Sequence, residues 1–257
     1  MSARSTPPTA AFPNTIGSPG ASVHNLGGKF GREQASAGTD GEVRTARALT
    51  DICRPGGPTV LHDLVLPMNG ITANIDHIVI SGKEVRILDS KMWTPGFYWT
   101  FAGHTRRGLT RIDHADKQTM AMATIAINKI LSNTGVHFVM KRPVFVVWPS
   151  NTKKQMVLRL FRPYGAKATT GRNFAARTRH YAGAQPANQE LVAALVPLVI
   201  SLRHQHQRTP NPVQQAPLAN HAAAFSLEPE FVPEPEFVQR TIAENAPAKK
   251  VYESDDF

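Results

Sequence analysis

Asp76, Asp89 and Lys91 stand in runs of alternating Val, Ile and Leu that read as neighbouring strands, so the spacing between them decides whether their charges meet. Gly82-Lys83 has the form of a two-residue hairpin loop, with glycine supplying the positive φ that the first position of a type II′ turn demands. In that register Ser81 is opposite Glu84, Ile80 opposite Val85, Ile78 opposite Ile87 and Asp76 opposite Asp89. The last three pairs share one sheet face because side chains alternate with period two, and Lys91 joins them if the strand runs two residues further. Directly opposed carboxylates repel unless something compensates. Mg²⁺ compensates well: it takes one or two protein carboxylates and keeps positions for water and substrate phosphate. There it would polarise a phosphodiester, help make hydroxide from water and stabilise the leaving oxygen. A lysine ammonium alongside would orient the water or offset charge in the transition state. An ordinary ion pair at a strand end explains the Asp89 and Lys91 spacing equally well.

These side chains need a frame, and the hydrophobic pattern predicts one. A helix opens at Thr39-Asp40-Gly41-Glu42, carries Val43, Ala46, Leu49 and Ile52 on one stripe, and stops at Pro55-Gly56-Gly57. Thr39-x-x-Glu42 is also a capping-box pattern, in which the glutamate returns to the N-cap amide. Three strands follow, over 60–66, 71–80 and 84–89, separated by Pro67-Met68-Asn69-Gly70 and Ser81-Gly82-Lys83. The aromatic stretch Trp93 to Phe101 suits an exposed hairpin or flap. A second helix is expected over 115–131 with Met122, Ile125, Ala126 and Ile130 inward, then strands over 144–148 and 156–161 and a closing helix over 189–203. The order predicts a mixed α/β core.

Composition bounds the class. Residues 1–35 are rich in small and polar residues and Pro, with neither the charged start nor the apolar core of a signal peptide, and are expected to be a flexible leader. The strongest apolar run, residues 191–200, is far short of the roughly 20 residues of a membrane helix. The single cysteine, Cys53, has no partner for an internal disulfide and no Cys/His cluster has zinc spacing, which suits a reducing, cytoplasmic setting. The net charge of +10 is uneven, +14 over residues 1–207 and −4 over 208–257, and no carboxylate lies between Asp116 and Glu190. Such a body favours polyanions. Arg106, Arg107, Arg111, Lys153, Lys154, Arg172, Arg177 and Arg179 are the candidate nucleic-acid contacts, with Trp93, Tyr98, Trp99 and Phe101 available either to stack on unpaired bases or to fill the core. Residues 208–257 read as a disordered acidic tail in which Glu-Pro-Glu-Phe-Val occurs at 228–232 and 234–238; it either docks a protein partner or only solubilises. His204-Gln205-His206 is a weak metal candidate.

Several short runs together resemble the nuclease-related domain (NERD) family: Ala37-Gly38-Thr39-Asp40-Gly41-Glu42, Val60-Leu61-His62-Asp63-Leu64, Ile75-Asp76-His77-Ile78-Val79-Ile80 and Ile87-Leu88-Asp89-Ser90-Lys91, followed by Gln118 in a helix. The resemblance spans about 36–148 and implies a branch of the PD-(D/E)xK restriction-endonuclease-like superfamily, a mixed β-sheet flanked by helices. It implies catalytic roles for Glu42, Asp76, Asp89, Lys91 and Gln118, with Glu42, Asp76 and Asp89 holding Mg²⁺ or Mn²⁺. Where the family usually has Glu, position 89 is Asp, shorter by one methylene. Trp93-Thr94-Pro95-Gly96 follows the family's usual Gly-containing turn only loosely.

The domain reading is a leader over 1–35, a nuclease-like domain over 36–150, a basic extension with a closing helix over 151–207 and the tail over 208–257. The expected function is metal-dependent hydrolysis of DNA. The alternative is an inactive nucleic-acid-binding or partner-recruiting module of a DNA-processing or mobile-element system, its partner taken up through residues 228–238. By analogy with junction-cutting relatives the resemblance also implies a homodimer.

Overall fold

The structure is a computed structural model that describes residues 13–21, 32–68, 71–115, 118–151 and 153–202. In chain order its elements are β1 (Thr15–Ile16), α1 (Arg32–Thr50), β2 (Thr59–Met68), β3 (Ile71–Ser81), β4 (Glu84–Trp93), β5 (Phe97–Phe101), β6 (His104–Arg107) and β7 (Thr110–Arg111). There follow α2 (Thr119–Ser132), β8 (Val139–Met140), β9 (Val144–Pro149), β10 (Val157–Leu160), β11 (Lys167–Thr170), α3 (Gly171–Ala176), α4 (Thr178–Ala182) and α5 (Gln189–Leu195). The main sheet runs β1-β2-β3-β4-β9-β11, with β8 also on β4, and a smaller sheet runs β10-β5-β6-β7. The mixed α/β architecture expected from the sequence is what the chain adopts.

The β2-β3-β4 meander is antiparallel and holds the register counted from the Gly82 turn: Ser81 with Glu84, Ile80 with Val85 and Ile78 with Ile87. Gly82 has φ 58° and Lys83 is not in the left-handed region, as a type II′ turn requires. β4 then continues to Trp93 beside a parallel β9, with Asp89 opposite Phe145 and Lys91 opposite Val147. Parallel neighbours need a crossover, and α2 provides it.

Two apolar layers cover the two faces of the main sheet. The larger joins Leu61, Ile78, Ile80, Ile87 and Val147 to Met120, Ile127 and Leu131 of α2 and Leu191 and Leu195 of α5. The smaller joins Val60, Val79, Leu88 and Val146 to Leu49 of α1 and Phe174 of α3. Residues after 150 are therefore woven into the body that carries the meander: β11 extends the main sheet, and α3, α4 and α5 complete its two layers.

Several expectations need correction. α1 starts at Arg32, so Thr39 and Glu42 are interior to the helix and no capping box forms there. The helix buries Gly41, Thr45 and Leu49 rather than the Val43 and Ala46 stripe. In α2 the buried residues are Met120, Ala123, Ile127 and Leu131, while Ile125, expected inside, is 70% exposed. The closing helix stops at Leu195 and passes into a 3-10 turn containing Pro197. Within the supposed leader, Thr15 and Ile16 pair with Val60 and Leu61, and the Asn14 amide donates to the carbonyls of Gly57 and Pro58 at 3.0 and 3.1 Å. The acidic tail and His204-Gln205-His206 lie outside the described residues.

One glycine is dictated by packing. A Cβ on Gly171 would overlap the Trp148 indole, and that ring is fixed by its Nε1–H donating to Thr45 Oγ1 at 2.9 Å. Gly171→Ala is expected to cost about 1–3 kcal/mol, as overpacking does. A thermal melt checks it, and an unchanged Tm would mean that α3 shifts freely.

Candidate active site

The meander brings acids together across three strands. Asp76 falls between Ile75 and His77, and the β3-β4 register, continued one step past His77 and Leu88, sets it against Asp89. The Asp76 carboxylate is tied to β4 directly: Ser90 N–H donates to Asp76 Oδ2 at 2.6 Å. Lys91 Nζ lies 2.5 Å from Asp89 Oδ2, with the Asp89 side chain 13% and the Lys91 side chain 38% exposed. The lysine is also 6.0 Å from the centre of the Phe145 ring. Asp89 Oδ2 is buried, and the Lys91 ammonium is its hydrogen-bond and ion-pair partner.

Glu42 approaches from α1, whose Gly41 leaves the helix backbone close to the Ser90–Met92 segment. Burial, and next the charge of Asp63, push the Glu42 carboxyl up to about 7, against a Gly20 N–H and Lys91, which favour its charged form. Asp76 is likewise held well above the carboxylate range by burial and then by Asp89, with Lys91 and the Ser90 N–H opposing. Burial works against the charge of Lys91, but Asp89 and Asp76 outweigh it and hold its pKa above the ordinary lysine value. Lys91 is therefore an ammonium at every pH at which the site would work.

Asp63 is the acid that sequence reasoning missed as a site residue. It lies between His62 and Leu64, which pair with His77 and Ile75, so it stands across from Asp76 on the side away from Asp89. It is buried and has φ 54°, a left-handed conformation that Asp tolerates better than most residues. The alternation of both strands slips there: Leu61 and Leu64, three apart, enter the same apolar layer, as do Ile75 and Ile78. A signal was available in the sequence. The Asn69-Gly70 pair is a hairpin-loop dipeptide, and counting outward from it sets Asp63 against Asp76.

Beneath the acids runs a buried polar chain. His62 Nδ1 meets His77 Nδ1 at 2.8 Å, His77 Nε2 meets Ser90 Oγ at 3.2 Å, and Ser90 Oγ donates to Thr45 Oγ1 at 2.8 Å. Thr45 in turn donates to the Gly41 carbonyl at 3.1 Å. The chain fixes α1, and with it Glu42, to the strands that carry Asp76, Asp89 and Lys91.

The other expected site residues lie apart from this cluster. Gln118 is exposed at the N-cap of α2, where its side chain makes no capping hydrogen bond. Arg106 lies over Trp99 at 5.9 Å and donates to the Leu109 carbonyl, Arg107 bonds the Tyr98 hydroxyl, and Arg111 pairs with Asp113 at 2.5 Å. Lys153, Lys154, Arg172, Arg177 and Arg179 are exposed beyond β9. Of the aromatic stretch, Trp93 and Tyr98 are core, stacked at 5.1 Å, while Phe101 is 67% exposed.

Among the described residues no group of three or more His, Cys, Asp and Glu side chains is set to hold a metal ion. A smaller donor set whose chemistry suits one is the opposed Asp76 and Asp89 carboxylates, with Lys91 beside Asp89 Oδ2. Two carboxylates are what Mg²⁺ takes from protein when water and phosphate complete its shell. Among the described residues no helix is long and apolar enough to cross a membrane. Residues 37–145 match the model of the nuclease-related domain (NERD) family. No curated protein and no solved structure matches the chain.

Proposed function

We propose, for a chain that carries a nuclease-related domain over residues 37–145, that it hydrolyses DNA phosphodiester bonds with a divalent cation, Mg²⁺ or Mn²⁺, held by Asp76 and Asp89. The observation that carries this reading is the lysine ammonium set among carboxylates from two adjoining strands and a facing helix. Acids crowded to this degree are costly for folding alone, and strongly perturbed groups gathered at one place are a mark of function.

When bound, the cation supplies Lewis-acid polarisation of the phosphate and lowers the pKa of water. The protein's own groups divide the remaining work. Lys91, permanently charged, is a donor and an electrostatic stabiliser of the phosphorane-like transition state, not a base. Glu42, which reaches the acids from α1 and whose carboxyl burial and Asp63 push up to about 7 in the metal-free protein, is the group assigned to take a proton from the attacking water. Ser90 holds Asp76 through its backbone N–H and holds α1 through its hydroxyl, so it orients both acids. Gln118 is assigned no part in these steps.

The test is Mg²⁺ titration calorimetry on the wild type and on Asp76→Ala, followed by cleavage of labelled single-stranded, duplex and branched DNA with the same samples. The wild type should bind the metal and cut, and Asp76→Ala should do neither while keeping its fold. A folded wild type that binds DNA but neither binds metal nor cuts would replace this reading with that of a binding module.

A further inference from the structure

A second polar feature lies on the far edge of the main sheet, away from the acids. Between β10, β11 and α3 is a cavity of about 620 Å³ whose lining includes Arg142, Arg159, Arg162 and Lys167 and contains no carboxylate. None of the four cations forms an ion pair among the described residues, whose Lys and Arg partners elsewhere are Asp51, Glu84, Asp89 and Asp113. The sequence explains the isolation, because no acid occurs between Asp116 and Glu190. Four unneutralised cations around one concavity call for an anion from outside the chain.

The remaining lining narrows the anion's chemistry. Gln155 and Asn173 offer carboxamides that make no side-chain hydrogen bond with the described residues, beside the half-buried Tyr181 and an apolar floor of Leu158 and Phe161. Amides suit the edge of a base and an apolar or aromatic wall suits its face, while Arg and Lys on the rim suit phosphates. The volume falls within the range of pockets that enclose a small organic ligand, roughly 300–1,000 Å³. A base within a duplex stays stacked and paired and does not enter such a hollow, whereas a base of a single strand does.

We propose that this cavity binds single-stranded nucleic acid, seating a base against Gln155, Asn173 and Tyr181 and its flanking phosphates on Arg142, Arg159, Arg162 and Lys167. Its position suits a strand that continues toward the acids. Lys167 pairs with Val144 and Val144 with Leu88, so Lys167 stands two strands, about 10 Å, from the residue before Asp89. The proposal rests on the nucleic-acid part of the preceding section and not on cleavage.

Binding is measured on the full chain by fluorescence anisotropy, in EDTA, with a labelled single-stranded oligonucleotide and with its duplex, over a salt series. Arg162 is spared because its guanidinium bonds the Arg159 and Phe161 carbonyls. Arg142→Gln/Arg159→Gln/Lys167→Gln should weaken the single strand at least tenfold and flatten its log–log salt dependence by about 2, near 0.7 for each phosphate no longer neutralised. The control, Arg47→Gln/Lys83→Gln/Lys129→Gln, removes the same charge at exposed positions outside the cavity and should change the affinity less than threefold. Equal losses for the two variants would reduce the effect to net charge and overturn the site. A duplex that binds as tightly as the single strand and loses as much would overturn the single-strand assignment, as would full displacement by an equimolar free nucleoside monophosphate. Since no arm reads turnover, an inert acid cluster leaves the result intact, and a failed cavity leaves the nuclease reading intact.

Discussion

On the proposed reading, Lys91→Ala is expected to cleave DNA about 10²- to 10³-fold more slowly than the wild type at saturating Mg²⁺, the loss typical of removing one preorganised charge stabiliser. Metal affinity moves the other way. In the protein the ammonium pairs with Asp89 Oδ2 and so would compete for that oxygen with the proposed cation. Removing it frees that oxygen and leaves the acids with less compensation, so Mg²⁺ should bind Lys91→Ala at least as tightly as it binds the wild type. The vacated charge also makes the protein less stable at pH 8 without metal, and added Mg²⁺ should restore most of that loss. Asp89→Ala is expected to give the opposite pairing, with metal binding and cleavage lost together. The two variants thus separate a ligand from an electrostatic partner, which activity alone does not do. Lys91→Ala cutting at the wild-type rate would remove the lysine from the mechanism. Lys91→Ala losing metal along with rate would mean that its role is to hold Asp89 in place.

The pairing that underlies this experiment was legible in the sequence, because one glycine turn sets the β3-β4 register and the period of two does the rest. The same logic reaches Asp63 from Asn69-Gly70, yet alternation alone would have assigned Leu61 and Leu64 to opposite faces. The left-handed φ at Asp63 reverses this, and nothing in residue type announces such a slip. The face of α2 was illegible for a different reason. Residues 119–131 are apolar on almost every side, so periodicity has no strong minimum and the sheet chooses which stripe is buried. The start of α1 was placed late because Thr39-x-x-Glu42 is a good local cap, and a local preference yields when packing continues the helix through it. The cavity on β11 was visible only as a run without acids. Which of its cations share a concavity depends on β10 and β11 belonging to different sheets, and charge counting carries no such information.

The buried histidines and the crowded acids give stability two opposed dependences on pH, and substitution pulls them apart. Thr45 commits its hydroxyl proton to the Gly41 carbonyl, so Ser90 must donate to Thr45 and accept from His77 Nε2–H. His77 Nδ1 is then an acceptor, and His62 Nδ1–H fills it. Both rings are neutral in this arrangement, and a second proton between them would face a proton already there. Burial lowers His62 to about 4, and burial followed by the charge of His62 lowers His77 well below the ordinary value of 6.5. The unfolded chain therefore takes up the protons first as pH falls below 6.5, and stability is lost down to the folded pKa. For His62 alone that is about 2 kcal/mol by pH 5, at 1.36 kcal/mol per unit. Glu42, raised from 4.5 to about 7, has the reverse sign: its folded form keeps a proton that the unfolded form has released. Its contribution is complete below 4.5 and lost as pH rises through 7, and Asp76 acts in the same direction. In the wild type the two effects offset each other between pH 5 and 7, so its Tm should be nearly flat there. In Glu42→Gln/Asp76→Asn, without metal, the acids no longer titrate. That variant should melt above the wild type at pH 8 and fall by at least about 4–8 °C between pH 7 and 5, taking 2–4 °C per kcal/mol for a domain of this size. Scanning calorimetry of both proteins from pH 8 to 5 decides it. Parallel profiles would mean that the acids are not crowded in the free protein, and a flat profile in the variant would mean that the histidine chain accepts protons without cost.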